Sequence, residues 1–406
     1  MDAVKVLIIF LLMLVLIFKL KKSLTVTFIF GCAAVAVAFR FDPVFAVTLA
    51  ARSAFSKSTF AIVAIYYTVT FLQKMMEAKG DIDLAQDSLL GITNNKRLSA
   101  ALIPMCVGLM PSPGAVVIGG AMVDSIYGNS VGDEDKNFIT SYYRHVPESF
   151  LPTFGSIVLA CELAKVPLSD FVLYMAPLAL LLFILGYFMI MRHLPWETGM
   201  PESSNKLQDV RNVFLSLWPV GTIIFIVLAV KKIDVYLAAT GVIVLYFFVN
   251  KFRFQDVKPF FKSAFEPKVI LSTIFILVFK DYIMQTDAVE SLPRLFAKLP
   301  LPDYLIFSLI FFVGSVIVGS TAIAAIGIPL AYAAIPDGGT PLLVLLSSMA
   351  FAAMQVSISH ICLFLSSEFF KVEFASLIKK TIPVISVFCV LLILYYLLLT
   401  KVLFGI

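Results

Sequence analysis

Long apolar runs recur along the whole chain, and they limit the folds that it can adopt. They lie at residues 3–18, 24–39, 58–76, 98–126, 147–163, 171–191, 213–230, 233–249, 268–284, 304–333, 342–366 and 381–400. A helix that crosses the ~30 Å hydrocarbon core of a bilayer needs ~20 mostly apolar residues. The chain is 60% hydrophobic and 14% charged, with a mean hydropathy of +0.99. These features predict an all-helical polytopic membrane protein.

The charged residues and the cysteines exclude several other classes of protein. The basic residues behind the net charge of +5 sit in short loops beside apolar runs, which is typical of charges that set membrane topology. We therefore expect a lipid bilayer and no nucleic acid as partner. The cysteines have no CxxC spacing, so no metal site, other cofactor or disulfide framework is predicted. They are Cys32, Cys106, Cys161, Cys362 and Cys389.

Short matches between the two halves indicate an internal duplication. They are FRF at 39–41 and 252–254, RSAF at 52–55 with KSAF at 262–265, ExxKV at 162–166 and 368–372, and Pro177 with Pro383. Their offsets drift only from 213 to 206, as small loop deletions would produce. The interpretation is a first repeat over residues 1–191, a cytoplasmic linker over 192–212 and a second repeat over 213–406.

The segments at about 98–126 and about 304–333 are each interrupted in the middle. Pro111 and Pro113 disfavour helical geometry and Gly114 permits a reversal, so a new helix should start at Ala115. Gly319, Ser320 and Thr321 interrupt the second segment at the corresponding place. We expect two re-entrant hairpins, whose non-helical tips must line a cavity or be buried in protein. The alternative is that these residues only kink ordinary helices.

Counting each hairpin as entering and leaving on one side gives five crossings per half, so the second half is inverted. With the N-terminus outside, 20 of the 31 Lys and Arg residues fall on the cytoplasmic side, which is the sign that topology requires. Both termini are then external.

The segment after each hairpin also contains residues that break helices. The first is FLPTFGSIV and the second is QVSISHICL. Paired breaks and hairpins bring several helix N-termini, with free amides and partial positive charge, to one midplane site that suits an anion. The expected substrate contacts are Ser112, Gly114, Thr153, Ser156, Ser320, Thr321, Ser357 and His360, and the expected coupling-ion contacts are Pro113, Gly155, Gly319 and Ser359.

Other ionisable residues have two readings. Arg144 and Glu148 are four apart and are read as a structural pair rather than a substrate clamp. Asp133 to Asp135 are read as a solvated loop, and Asp124 is a candidate for a proton or cation path. His360 is either a substrate or proton contact or a hydrogen-bonded core histidine.

The two hairpin tips, the two halves and the motif RHVPE at residues 144–148 resemble a prokaryotic family of uncharacterised membrane proteins. That family is grouped with the ion transporter superfamily of dicarboxylate, gluconate, citrate and arsenite carriers. The resemblance implies an inverted-repeat secondary transporter in the prokaryotic inner membrane. It also implies a homodimer in which a hairpin-bearing domain moves past a fixed scaffold. Several superfamily members carry Ser-Asn-Thr at their tips and couple to sodium, but this chain lacks that Asn.

The sequence therefore predicts a secondary transporter of a small anion, with an organic carboxylate as the leading candidate and sodium or protons as the coupling ion. It is not predicted to be an enzyme. Two other classes stay open: an intramembrane hydrolase that uses Ser320 and His360, and an ion channel.

Overall fold

The computed structural model describes residues 2–18, 20, 22–109, 115–197, 203, 205–230, 233–286, 300–357 and 360–403. Within them the chain is helical and contains no β-strand. The first-half helices are α1 Asp2–Phe18, α2 Leu24–Ala38, α3 Pro43–Ala54, α4 Lys57–Lys79, α5 Asp81–Thr93, α6 Lys96–Val107, α7 Ala115–Tyr127, α8 Asp133–His145, α9 Gly155–Ala164 and α10 Leu168–Met189. The second-half helices are α11 Lys206–Ala229, α12 Val235–Val249, α13 Phe254–Ser263, α14 Pro267–Met284, α15 Asp303–Val318, α16 Ser320–Ala334, α17 Gly339–Met354, α18 Ile361–Phe369 and α19 Phe374–Leu398.

Five helical stretches in the described part of the chain are long and apolar enough to cross a membrane. They are Lys57–Lys79, Leu168–His193, Lys206–Ala229, Pro336–Met354 and Phe374–Lys401, and seven shorter apolar helices accompany them. This agrees with a polytopic membrane protein. The count of ten crossings and the external termini remain predictions.

Polar side chains fix where several helices begin. The Ser56 hydroxyl accepts a hydrogen bond from the Thr59 amide at the start of α4, and the Asn95 side chain accepts from two amides at the start of α6. Such caps satisfy amides that have no partner inside the helix. Asn205 does the same for α11, whose first turns lie inside the linker expected at 192–212. A polar first turn hides this helix start from a search for apolar runs.

Helix α8 corrects a second expectation. Asp133, Glu134 and Asp135 are not a loop but the first turn of α8, where negative charge is favourable. From Lys136 to His145 every residue of α8 is buried. Helix α8 is polar in sequence yet lies inside the protein, so hydropathy did not predict it. The short helices α3, α5 and α13 were also not predicted, because their 12, 13 and 10 residues are fewer than a membrane span needs.

Both hairpin segments consist of two helices in contact. Helices α6 and α7 pack together, as do α15 and α16. The expected start of α7 at Ala115 is confirmed, while Met110 to Gly114 lie outside the described residues. The second interruption is also present, because Gly319 between α15 and α16 has φ +91°. A side chain there would strain the backbone.

The helices of the two halves follow the same order, but one of the sequence matches is out of register. Arg40 and Lys251, which follow α2 and α12, both have left-handed backbone, with φ 54° and 52°. Arg40 therefore corresponds to Lys251, whereas the FRF match pairs it with Arg253. The ExxKV match is in register, since Lys165 and Lys371 are both left-handed and both donate to the carbonyl of the Glu three residues before.

Contacts between the halves are exchanged. Helix α2 packs on α14 and α12 on α4; α9 packs on α16 and α18 on α7; α10 packs on α17 and α19 on α8. Helix α17 is as enclosed as α8, with every residue from Thr340 to Met354 buried except Ser347. The ends of α8 and α17 consequently lie inside the protein, where they position the candidate site.

Candidate functional site

The helices α8 and α17 both stop inside the protein. After His145 the chain forms a short 3-10 turn at Pro147–Ser149 and returns to a regular helix at Gly155. After Met354, the described residues Gln355 to Ser357 and His360 are outside any helix, and α18 begins at Ile361. These breaks agree with the expectation from FLPTFGSIV and QVSISHICL. Each one exposes the amides at the start of the following helix, α9 or α18, inside the protein.

A cavity of about 50 Å³ lies between the first break and the second hairpin. That volume has room for a few water molecules by the usual measure of ~10–15 Å³ each. Ser156 in the first turn of α9 and Ser320 at the start of α16 both line it, together with Ser347 of α17. The other lining residues are Glu148, Ser149, Ile157, Ala160, Ala324, Ala350, Phe351 and Met354. Two helix N-termini from opposite halves of the sequence therefore meet at one small cavity.

An ion pair borders this cavity. The Arg144 Nη1 atom lies 3.7 Å from Glu148 Oε2, and the two side chains are 4% and 23% exposed. The predicted i,i+4 pairing is thus present. Glu148 also lines the cavity, so the pair is part of the candidate site and not only an anchor where the chain enters the membrane.

The second break contacts the end of α8 through two histidines. The Nε2 atoms of His145 and His360 lie 2.9 Å apart, with ring centroids at 4.8 Å. The Nδ1 atom of His145 donates to the Ser141 carbonyl oxygen at 2.6 Å. His145 is fully buried and His360 is partly exposed. His360 thus has a buried histidine as its hydrogen-bond partner, as expected for the interpretation as a hydrogen-bonded core histidine.

The structure brings together only part of the predicted site. Ser156 and Ser320 share the cavity, but Thr153 and Gly155 line another cavity of about 170 Å³ against Tyr66 of α4. The Ser357 hydroxyl donates to the Val316 carbonyl at 2.7 Å. The remaining predicted residues are Thr321 in the first turn of α16, Gly319 before it, and Ser112, Pro113, Gly114 and Ser359, which lie outside the described residues.

Asp124 is not at the cavity. Its carboxylate forms an ion pair with Lys136 at 2.6 Å, where α7 connects to α8. That pairing accounts for Asp124 without a proton or cation path.

The sequence did not predict that His145 and Ser347 belong to the site. It also did not predict that Glu148 lines the cavity. His145 and Glu148 both stand in RHVPE, and an ionisable residue inside a membrane protein is a functional candidate by default. That signal was available but was outweighed by the local pairing of Arg144 with Glu148. Ser347 has no sequence signal, since its place depends on how α17 packs.

The contacts of Ser320 and His360 do not resemble a nucleophile with its base. The Ser320 hydroxyl donates to Met354 Sδ at 3.7 Å, while the His360 Nε2 atom contacts His145. A hydrolytic dyad needs the serine hydroxyl and the histidine nitrogen in contact with each other.

A search of protein-family models matches residues 3–399 to one described as "Protein of unknown function (DUF401)". The chain belongs to the DUF401 family. The comparison with curated proteins found no match. Among solved structures, the chain is similar to the YdaH transporter of Alcanivorax borkumensis, whose structure is described as having an unusual topology. The TM-score is 0.62 at 11% identity, over 94% of this chain and 99% of that one. This DUF401 member therefore has the fold of a helical membrane transporter.

Proposed function

We propose that this protein is a secondary active transporter of a small anion, with an organic carboxylate as the leading candidate. Sodium or protons drive it by an elevator-type mechanism with alternating access. The protein acts as a homodimer in a prokaryotic inner membrane, with both termini external. This proposal includes the grouping with the ion transporter superfamily.

The observation that carries the proposal is the cavity between Ser156 and Ser320. The N-termini of α9 and α16 supply free amides and partial positive charge to it, and the serines supply hydroxyl donors. An anion is stabilised by such groups. The carboxylate of Glu148 at the same cavity opposes an anion, but Arg144 offsets that charge.

The exchanged contacts between the halves support two inverted repeats, each with a re-entrant hairpin and a broken helix. If helix A of the first half packs on helix B of the second, the counterpart of A packs on the counterpart of B, as a two-fold axis between the halves requires. The odd number of crossings predicted for each half places that axis in the membrane plane. Proteins with this symmetry alternate by moving one unit against the other around a fixed site.

The packing of α4 supports an elevator. Helices α2, α4, α12 and α14 contact one another and form one group, while the hairpins and broken helices form a second. A Cβ atom on Gly155 would lie 1.9 Å from the Tyr66 ring, so the first break meets α4 without room for a side chain. A glycine at this position lets the first break approach α4 closely, and in the proposed elevator these two segments would slide past each other.

The test is a thermal-shift screen of purified protein against small anions, with and without sodium and across pH. A ligand that binds the folded state raises the Tm by mass action. Ser156→Ala and Ser320→Ala should reduce the shift, whereas Ser308→Ala should not, because Ser308 of α15 is buried away from the residues that line the cavity. A shift that both cavity variants retain would contradict the site.

Reconstituted protein separates the classes of function. Saturable uptake that follows a sodium or pH gradient supports a carrier and identifies the coupling ion. Flux at channel rates under voltage would instead support a pore, and labelling of Ser320 by a fluorophosphonate would support a hydrolase.

Cysteine labelling in intact cells tests the topology. Single cysteines at Gly80 and Ser204 should be inaccessible to impermeant reagents, whereas one at Asp337 should react. External labelling at Ser204 would contradict the inverted arrangement.

A further inference from the structure

Three side chains with metal-ligating atoms meet where the second break contacts α8. They are His145, His360 and Cys362, and their ligand atoms all lie within 4.8 Å of one another. His145 ends α8, while His360 and Cys362 flank the start of α18. His360 and Cys362 are two residues apart, but His145 is 215 residues away from His360, so no CxxC or HxxxH motif marks the cluster in the sequence.

The hydrogen bond of His145 to a carbonyl oxygen fixes which of its nitrogens is free. A carbonyl only accepts, so the Nδ1 atom that contacts the Ser141 oxygen must carry the proton. The Nε2 atom of neutral His145 then has its lone pair directed at His360 Nε2. Histidines that bind a metal through one ring nitrogen usually donate a hydrogen bond through the other, and this bond orients the imidazole.

The separation of the two nitrogens is close to what a metal requires. Tetrahedral zinc with Zn–N bonds of ~2.0–2.1 Å holds two nitrogens about 3.3 Å apart. The Nε2 atoms lie 2.9 Å apart in a hydrogen bond that His360 donates, so metal binding separates the rings slightly and releases the Nε2 proton of His360.

A buried polar network holds the two helices that supply the ligands. The Asn137 Oδ1 atom of α8 accepts from the Ser366 hydroxyl at 2.6 Å, and its Nδ2 atom donates to Ser367 at 3.0 Å. These residues lie along the same α8–α18 contact as His145 and Cys362. The contact is therefore fixed at two places.

The local charges are compatible with a cation. Arg144 immediately precedes His145, and its guanidinium forms an ion pair with Glu148 at 3.7 Å. A thiolate at Cys362 and the carboxylate of Glu148 would offset the positive charges of a divalent ion and Arg144. Cys362 also lies in the first turn of α18, where the partial positive charge of the helix N-terminus favours a negative ligand.

We propose that His145, His360 and Cys362 bind one transition-metal ion of the Zn²⁺ class. The ligands are the two Nε2 atoms and the Cys362 sulfur, because imidazole and thiolate together favour zinc and similar ions over calcium or magnesium. Three protein ligands leave a fourth position open, on the side where His360 is partly exposed. The ion would add a second link between the end of α8 and the second break, which already contact each other through His145 and His360.

The test uses full-length protein purified in detergent and stripped of metal with a chelator. Cobalt(II) serves as a spectroscopic probe, because it takes zinc sites and shows a thiolate-to-cobalt charge-transfer band. We expect one cobalt ion per chain with this band, displaced by zinc. Cys362→Ser should remove the band, and His360→Gln should weaken binding by at least about tenfold, since even residues that only orient a ligand change affinity ~10–100-fold.

Matched controls use a cysteine and a histidine away from the cluster. Cys161→Ser changes another buried cysteine, and His193→Gln changes the third histidine of the chain. Both should bind cobalt as the unmodified protein does. A zinc-induced rise in Tm that Cys362→Ser loses, while its metal-free Tm stays the same, separates lost binding from misfolding.

Three results would overturn the proposal. They are no charge-transfer band in the unmodified protein, a band that persists in Cys362→Ser, or a band lost equally in Cys161→Ser. None of these measurements depends on transport, so the outcome is independent of the proposed function.

Discussion

The first helix break, residues 146–154, differs from the second, residues 355–360, in charge. The first follows Arg144 and contains Glu148, which form an ion pair beside the small cavity. The second break holds neutral polar residues and a histidine. Its Gln355 side chain donates to the Tyr142 carbonyl at 3.3 Å. Both breaks end helices that are buried to a similar degree.

The two breaks occupy corresponding places in the two halves, but their side chains differ in charge and in what they can bind. The cavity uses Ser156 after the first break and Ser320 from the second hairpin, so both halves contribute to it. The His145–His360 contact likewise joins the end of α8 to the second break. Charge is concentrated at one break, whereas the other supplies uncharged donors and the partner histidine.

The largest expected effect is on the ion pair of the first break. Glu148→Gln removes the carboxylate beside Arg144. The Arg144 side chain is only 4% exposed. Losing one partner of a buried pair costs ~3–5 kcal/mol, and the partial exposure of Glu148 places the loss near the lower end. The matched change in the second break, Gln355→Met, should cost only about 1 kcal/mol, because a single neutral hydrogen bond is lost. Chemical unfolding in detergent measures both.

Equal losses in Glu148→Gln and Gln355→Met would show that the charge difference between the breaks has no energetic weight. Glu148→Asp is the control that keeps the charge. It should retain more stability than Glu148→Gln.

The next effect concerns glycines in the two halves, which are required for different reasons. A Cβ on Gly155 would overlap the Tyr66 ring, whereas one on Gly319 meets nothing within 4 Å but strains a backbone at φ +91°. Gly155→Ala and Gly319→Ala should each cost about 1–3 kcal/mol. Tyr66→Ala should restore stability to Gly155→Ala and not to Gly319→Ala. A double-mutant cycle measures this coupling.

Rescue of Gly319→Ala by Tyr66→Ala would contradict the distinction, as would the absence of rescue for Gly155→Ala. The first result would indicate a general loosening of the protein. The second would mean that α4 and the first break do not meet as closely as their backbones suggest.

The sequence predicted the interruptions of the fold better than it predicted the site. Proline and glycine act locally, so the start of α7 at Ala115 and the break at Gly319 followed from their own residues. Hydropathy is also a property of the local sequence, so it located most of the apolar helices. It failed for α8, because a buried helix can be polar when neighbouring helices satisfy its side chains, as Asn137 shows with Ser366.

The site depends on contacts between distant segments, which one sequence does not reveal. Thr153 and Ser156 were both expected as substrate contacts, yet Thr153 lines a cavity beside α4 that Ser156 does not line. Thr153 precedes α9, whereas Ser156 lies in its first turn, so helical periodicity does not relate the directions of the two side chains. The contact of His145 with His360 spans 215 residues and required the packing of α8 on α18.

The smallest effect on stability is expected from two hydroxyls, one at each break. The Thr153 hydroxyl is buried and has no hydrogen-bond partner among the described residues, whereas the Ser357 hydroxyl donates to the Val316 carbonyl. Ser357→Ala should therefore cost about 1 kcal/mol, and Thr153→Val about nothing, since valine keeps the shape and removes a polar atom that has no partner. Thermal unfolding of both variants measures the difference.

Uptake should respond in the opposite order. A buried hydroxyl that has no partner among the described residues and lines a cavity beside α4 is available to a permeating ion or water. Thr153→Val should therefore slow gradient-driven uptake without a change in Tm. Thr153→Ser keeps the hydroxyl and should restore uptake. Ser357→Ala should change uptake only as far as it lowers stability, because its hydroxyl already has a backbone acceptor. If Thr153→Val transports normally, the cavity beside α4 is only a packing defect. The substrate would then bind at the cavity lined by Ser156 and Ser320 alone.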